Sequence, residues 1–386
     1  MKILHTSDWH LGRSFGSISL HHDQVAFCNW LTDLVANEQI ELVVIAGDIY
    51  DRAIAPVESI ELFRQTIRDL RTTGATVAVI SGNHDGPDRL SPYDDLLDLS
   101  GVYIRGGYEG VGRVVTHTFN DGPLDIALLP FLDPQSAPDG FGDQEIADAG
   151  ERRRRRTHHS VLADAMTAVR PQLSAPRSLA IAHAFVAGGL VSDSERALEV
   201  GGTGAVDAEL FDGFSYSALG HLHRPQEITK PTLRYSGTPL AYSFSEQHQK
   251  SVTIIDMTPD GQCAIDTIDV PVGRAVATIT GTIDELLAPD AHPAARDCFV
   301  RAIVTDRDTV IEAKARLEAI YPHITEVRLE PLGGITLNDE VVPNIADVDP
   351  IDAVRTFWTE VEGSAPDDDT DAVLIEAVTV GLRGAQ

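Results

Sequence analysis

"TSDWHLG", Thr6 to Gly12, follows a short apolar run, Lys2-Ile3-Leu4-His5, and sets an aspartate and a histidine on alternate positions. Side chains at i and i+2 of an extended strand point the same way, so Asp8 and His10 converge on one object. A carboxylate oxygen beside an imidazole nitrogen is ligand chemistry for a divalent transition metal. An isolated Asp-x-His is also an ordinary surface turn, so the rest of the chain must supply further ligands. The surrounding sequence supplies a setting. Leu42 to Ala46 is a continuous apolar run ending in Gly-Asp, and Thr76 to Ile80 is another ending in Ser-Gly-Asn-His. Between them, Val57 to Thr72 places Ile60, Phe63, Ile67 and Leu70 at helical spacing, and Gln24 to Ala36 does so with Val25, Cys28, Leu31 and Val35. Short apolar strands separated by helices predict βαβ units of an α/β fold with both sheet faces covered. Further strands are predicted at Leu124–Leu129, Leu179–His183, Tyr216–Leu219 and Ser251–Met257.

The strand ends, read in order, carry Asp8 and His10, then Asp48 in "AGDIYD", then Asn83 and His84 in "SGNHD". His183 follows in "IAHAF", and His221 and His223 in "LGHLH". Open α/β folds build their sites at the carboxyl ends of strands. Carboxylates, a carboxamide and several imidazoles suffice for two metals sharing one carboxylate, a pair that clamps the attacking and leaving oxygens of a phosphoryl displacement. Each residue has an ordinary reading when taken alone. His183 suits a satisfied core histidine, His221 and His223 a loop pair, and Asp48 and Asn83 helix N-caps. Taken together on successive strand ends, they predict a metal centre. His5, His21, His22, His158, His159 and His323 lack such company and are expected in the core or on the surface.

Size and charge bound the function. A chain of 386 residues, 43% hydrophobic, suits two or three domains. No apolar stretch approaches a membrane span, the start carries no secretory signal pattern, and Cys28, Cys263 and Cys298 form no metal-type spacing. These features predict a cytoplasmic protein with buried, reduced cysteines and no membrane partner. The net charge of −29 opposes long-range attraction to nucleic acid. Ten acids against Arg355 and Arg383 put −8 of it between Ile345 and Gln386, which leaves −21 on the remainder. A polyanion-binding activity would therefore rest on bound metal, local arginines or a partner protein.

A boundary is expected after Val270-Pro271-Val272-Gly273, closing a first domain of residues 1–271. The segment 272–342 then reads as a small α+β module: strand Val276–Thr280, helix Ile283–Leu287, strand Phe299–Val304, helix Thr309–Ile320 and strand Thr325–Glu330. The tail, 343–386, holds two amphipathic segments around Val354–Val361 and Ala372–Leu382, with Phe357 and Trp358 in the first. A helical hairpin of this kind either docks on another protein or folds back on its own domain.

The order Asp-x-His, Gly-Asp, Gly-Asn-His-Asp, His, Gly-His-x-His resembles the calcineurin-like metallophosphoesterases. Within them "TSDWHLG", "AGDIYDRA", "SGNHDGPDRL", "GHLHRPQ" and "YSGTPLAYSFSE" are similar to the SbcD family of bacterial nuclease subunits. The resemblance implies two packed mixed sheets flanked by helices, a capping α+β domain that contacts DNA, and a C-terminal hairpin that binds a coiled-coil SbcC-type ATPase. It implies one metal held by Asp8, His10, Asp48 and His223, and a second held by Asp48, Asn83, His183 and His221. Manganese is the implied ion, with magnesium, iron and zinc as alternatives. His84 is implied as proton donor to the leaving oxygen, oriented by Asp85. Where some relatives carry a second histidine after Gly-Asp, this chain has Asp51-Arg52, so no such role is transferred.

The implied activity is an ATP-regulated exonuclease on duplex ends and endonuclease on single strands or hairpins, in DNA repair and recombination. The implied assembly is a homodimer within a heterotetramer with the ATPase. A small-molecule metallophosphodiesterase or phosphatase of the same superfamily is the alternative, and a non-catalytic scaffold is a third reading. Arg13, Arg52 and Arg89 stand beside ligand residues as candidate DNA contacts or structural ion pairs, and Phe15 as a candidate loop-tip contact. The run Arg152–Arg156 reads as the solvated start of a helix or as a phosphate contact.

Overall fold

The computed structural model describes residues 1–148, 151–195, 204–330 and 349–384, with the backbone path alone given for 145–148, 151–154 and 381–384. Two compact units divide the chain. The larger comprises Met1–Thr278 with Ala294–Arg301 and Tyr321–Thr325; the smaller comprises Ile279–Pro293, Ala302–Ile320 and Glu326–Gln386.

The larger unit contains two six-stranded mixed sheets. In the first, the strands Lys2–Thr6, Leu42–Ala46, Thr76–Ile80 and Val102–Arg105 run parallel, and Ser251–Met257 and Cys263–Asp269 extend the sheet antiparallel beyond Lys2–Thr6. In the second, Gly122–Leu129, Ser178–His183, Tyr216–Gly220 and Lys230–Tyr235 run parallel, with antiparallel strands Val114–Phe119 and Gln226–Ile228 at its edges. Leu42, Val44 and Ala46 pack with Ile126, Leu128, Leu179, Ile181 and Ala218 in the layer between the sheets. Val43 and Ile45, on the opposite face of the same strand, pack with Phe27, Leu31, Phe63 and Leu70 of the covering helices His21–Asn37 and Val57–Thr72. Burial on both faces is why these strands read as unbroken apolar runs. The helix His158–Val169 covers the outer face of the second sheet through Val161, Leu162, Ala165, Met166 and Val169.

Helix register departs from expectation. The buried stripe of Val57–Thr72 is Ser59, Phe63, Thr66 and Leu70, so Ile60 stays 45% exposed. Gly12 comes close enough to the first turn that a Cβ there would meet Ser59 Oγ at 2.9 Å, which demands a small residue at that contact. Val25 is likewise only half-buried, and Gln24 takes its place in the stripe through hydrogen bonds with the backbone of His10 and Gly12. Of the cysteines only Cys28 is buried; Cys263 and Cys298 are half-buried.

Arg152–Arg155 lie in a strand, Glu151–Arg155, paired antiparallel with Gln144–Asp148, and the next helix begins at His158. The expected helix start at the arginine run is thus replaced by an antiparallel strand pair, followed by Arg156, which donates to Asp143 Oδ1 at 2.7 Å and to the Ala137 carbonyl at 2.6 Å.

Strands Val276–Gly281, Phe299–Val304 and Ile324–Leu329 form a three-stranded sheet with Phe299–Val304 in the middle. Helices Ile283–Leu286 and Ala313–Glu318 accompany it, the second shorter than the Thr309–Ile320 expected from periodicity. Residues 331–348, the end of the small module and the first residues of the tail, lie outside the described residues. The tail continues as helices Pro350–Glu362 and Asp368–Gly384, joined by a bidentate Arg355–Asp371 ion pair at 2.6 Å.

Candidate active site

Every predicted ligand leaves the carboxyl end of a parallel strand: Asp8 and His10 after Lys2–Thr6, Asp48 after Leu42–Ala46, and Asn83 after Thr76–Ile80. His183 ends Ser178–His183, and His221 and His223 follow Tyr216–Gly220. Both sheets thus deliver side chains to one place. Reaching it strains the backbone. Asp8, His10, Asp48 and His221 all have positive φ, at 54°, 45°, 50° and 110°. Only four other described non-glycine residues do so, Gln39, Thr229, His292 and Glu312, and none of them is a predicted ligand. Such conformations cost about 1–3 kcal/mol each and persist where surrounding structure enforces them. Gly82 is required for the same approach, because a Cβ there would overlap the Asp48 carboxylate and amide.

Asp48 Oδ2 sits at the centre, 3.7 Å from His10 Nε2, 3.6 Å from His183 Nε2 and 4.0 Å from His84 Nε2. On one side of it His10 Nε2 and His223 Nε2 are 3.2 Å apart, and one ligand atom each from Asp8, His10 and His223 lie within 4.8 Å of one another. On the other side Asn83 Oδ1 lies 3.0 Å from both His183 Nε2 and His221 Nδ1. Donors thus stand on two sides of one carboxylate, and Asp48 also groups within 4.8 Å with His10 and His84 and with Asp8 and His183.

The electrostatics fit cations. Burial, and then the charge of Asp48, push the Asp8 carboxyl well above its usual range, although Ser7 and the His221 amide hydrogen-bond to it. Burial also lowers His10 and His221 well below the ordinary imidazole value, and His183 to about 4. Neutral imidazoles with bare nitrogens, beside carboxylates that repel each other, form a donor set that divalent metal stabilises. His10 Nδ1, fully buried, has no hydrogen-bond partner among the described residues, reaching only Asp51 Oδ1 at 3.8 Å. A metal on Nε2 would fix that ring without one.

The calcineurin-like phosphoesterase model matches residues 1–225, and the model described as type 5 capsule protein repressor C-terminal domain matches 272–362. The SbcD subunit of the SbcCD nuclease of Bacillus subtilis (strain 168) is 37% identical over 281 residues, covering 71% of each chain. The chain belongs to the SbcD family of calcineurin-like phosphoesterases. The corresponding nuclease subunit of Staphylococcus epidermidis (strain ATCC 12228 / FDA PCI 1200) is 29% identical over 332 residues, 84% of each chain. The solved structure of TT1561 of Thermus thermophilus aligns more loosely, with TM-score 0.40 and 12% identity over 70% of this chain and 98% of that one.

In this SbcD-family chain the remaining predicted residues divide. His84 is 10% exposed in its side chain, and its Nδ1 lies 2.9 Å from the Asp51 carbonyl while its amide donates to Asp48 Oδ1. Asp85 was expected to orient His84. Its carboxylate instead accepts the amides of Ile49, Tyr50 and Gly82 at 2.8–3.1 Å, tying together the two loops that carry Asp48 and Asn83, and the Asp51 carbonyl takes over the orienting contact. Burial, then the charge of Asp48, raise the Asp85 carboxyl to about 7.

His84 opens into a depression of about 550 Å³ lined also by Arg13, Ser14, Asp51, Arg52 and Glu195. Arg13 is fixed there, 3.3 Å from Asp51 Oδ1 and 5.0 Å from the centre of the Tyr242 ring. Arg52 is 82% exposed in its side chain. Arg89 is exposed on the turn Pro87–Leu90 and is not part of this lining. Phe15 is not a loop-tip contact: it is 4% exposed, stacked on Phe299 at 4.6 Å and edge-on to Phe244 at 5.0 Å.

Sequence reasoning missed the residues behind His223. Its Nδ1 lies 2.6 Å from Ser194 Oγ and 3.3 Å from Glu246 Oε1. Burial alone would raise Glu246, but the hydrogen bond with His223 and the nearby Lys250 ammonium outweigh it and hold the carboxylate ionised.

Proposed function

We propose that this chain is the nuclease subunit of an SbcCD-type complex, a phosphodiester hydrolase that cuts DNA with two divalent cations. One cation is held by Asp8, His10, Asp48 and His223, and the other by Asp48, Asn83, His183 and His221; manganese is the expected ion. The observation that carries this reading is Asp48 Oδ2 standing within 3.7 Å of both His10 Nε2 and His183 Nε2, a bridging position between two donor pockets. When bound, such a pair supplies Lewis-acid activation of water and of the scissile phosphate.

The chain's own residues do the rest. The Asp51 carbonyl accepts the Nδ1 proton of His84, so a second proton on that ring sits on Nε2, the nitrogen facing Asp48 and the reacting centre. From there it passes to the leaving sugar oxygen. Arg13, held by Asp51 and Tyr242, presents a fixed cation to a phosphate beside His84, and Arg52 presents an adjustable one. These local cations act against a net charge of −29, which makes a DNA-gripping partner part of the reading. The substrates are duplex ends, for exonuclease action, and single strands or hairpins, for endonuclease action, with access regulated by ATP.

The partner is a coiled-coil ATPase, docked on the tail hairpin. Phe357 and Val361 are 61% and 46% exposed at helical spacing, Val373 and Val380 are each 64% exposed, and Pro350–Glu362 buries no residue. Trp358, half-buried beside Phe357, extends the apolar surface. The homodimer forms through the phosphoesterase core, where Ile54, Val57, Leu96 and Leu99 are 67–87% exposed and Ile60 lies outside the helix's buried stripe.

A manganese-containing assay on linear duplex DNA, beside a generic phosphodiester such as bis(p-nitrophenyl) phosphate, tests the activity. Degraded DNA is the expected result with the ATPase present. Rapid hydrolysis of the ester with intact DNA would replace this reading with a small-molecule phosphodiesterase. Phe357→Glu with Trp358→Glu is expected to abolish co-purification with the ATPase and leave manganese binding unchanged; retained association would move the docking site elsewhere.

A further inference from the structure

We infer that Glu246 is a positioning residue for the metal centre: through Ser194 and directly, it fixes the tautomer of His223 so that Nε2 faces the cation. The inference rests on His223 being a metal ligand.

Glu246 lies in the loop after the strand Lys230–Tyr235 and is 1% exposed. Its Oε2 is surrounded by donors: Lys250 Nζ, Thr238 Oγ1 at 3.1 Å and the Tyr242 amide at 3.3 Å. They leave Oε1 turned to Ser194 and His223. Ser194 has one hydroxyl proton. Paired with the Lys250 ammonium through Oε2, the Glu246 carboxylate accepts, so that proton goes to its Oε1. Ser192 Oγ, 3.0 Å from Ser194, sends its own proton to Glu195 Oε2 at 2.8 Å. Ser194 Oγ must then accept from His223 Nδ1, 2.6 Å away. Nδ1 therefore carries a proton, and in a metal-ligating His223 it is Nε2, 3.2 Å from His10 Nε2 and grouped with Asp8, that offers the lone pair. The Glu195 carboxylate holds the same residue at its amide, 2.8 Å away.

Lys250 is the counter-ion of the buried carboxylate, so the pair adds little net charge to the site. What Glu246 contributes is polarity: an acceptor where the imidazole must donate. Partners of this kind are worth about 10–100-fold in metal affinity.

Glu246→Gln reverses that polarity. The Tyr242 amide and Lys250 are donors and draw the Gln oxygen to the Oε2 position, so the amide NH2 faces Ser194 and His223. The imidazole is then pressed into the tautomer with the proton on Nε2, which blocks the metal position. E246Q is expected to bind one manganese ion with unchanged affinity and the other at least about tenfold more weakly. Ring-nitrogen NMR of the metal-free protein is expected to move the His223 proton from Nδ1 to Nε2. The double variant E246Q/K250M, which leaves no buried lysine without its carboxylate, is expected to give the same loss.

His223→Ala is the reference and is expected to lose one ion outright. If H223A binds both ions at wild-type affinity, the ligand assignment itself fails, and this inference with it. If H223A loses an ion while E246Q and E246Q/K250M keep both at wild-type affinity, the ligand assignment stands and the role of Glu246 is overturned.

Discussion

His84→Ala protein is expected to bind two manganese ions as the unaltered chain does, and to cleave duplex DNA about 10²–10⁴-fold more slowly, the usual contribution of a positioned proton donor. The two halves of that expectation have separate physical origins. His84 lies at the wall of the depression and its Nε2 is 4.0 Å from Asp48 Oδ2, further than His10 or His183. Removing it takes away none of the seven proposed ligands, although its Nε2 also lies within 4.8 Å of ligand atoms of His10 and Asp48. What is lost is an imidazole whose orientation is fixed by the Asp51 carbonyl at 2.9 Å. Measured kcat should fall with little change in KM, because the proton is handed over only in the transition state. Cleavage at the native rate would remove His84 from the chemistry. Loss of metal along with activity would make it a ligand.

Asp48→Asn should have the broader effect: loss of both high-affinity cations and of detectable cleavage, in a protein that still folds. Asn is isosteric and its Oδ1 can still accept the His84 amide, now 2.9 Å from Asp48 Oδ1. It removes the negative charge that both pockets share. Without metal, the substitution also relieves repulsion between Asp48 and the fully buried Asp8, whose carboxyl is driven upward by burial and by that neighbour. Metal-free D48N is therefore expected to be as stable as the metal-free parent or more so. Saturating manganese should stabilise the parent, by about 2.7 kcal/mol per ion at a hundredfold excess over its Kd, and leave D48N unmoved. Manganese stabilising both proteins equally would contradict a bridging role for Asp48.

Much of this site was legible because its constraints are local. Asp8, Asp48, Asn83, His183 and His221 each follow an apolar run that ends in a strand, and the parallel registers bring those ends together without needing to be known in advance. The helices were legible as elements but not in register. Spacing alone puts Ile60 in the core, whereas the close approach of Gly12 turns Ser59 inward and leaves Ile60 outside. Edge strands such as Val114–Phe119, with mixed burial, gave no apolar run to read. The support of His223 was invisible for a different reason: Glu246 is 23 positions away and Ser194 29, and no periodicity links them. Asp85 and Phe15 were each assigned a role by proximity in sequence, whereas one is bound to three amides and the other stacked on Phe299.

The central claim is that two cations share Asp48. Anomalous diffraction from crystals of the full chain prepared with manganese measures it directly. Two peaks are expected about 3.5–4 Å apart, on either side of the Asp48 carboxylate, one beside His10 and His223 and the other beside Asn83, His183 and His221. A single peak, or two that do not both contact Asp48, would contradict it.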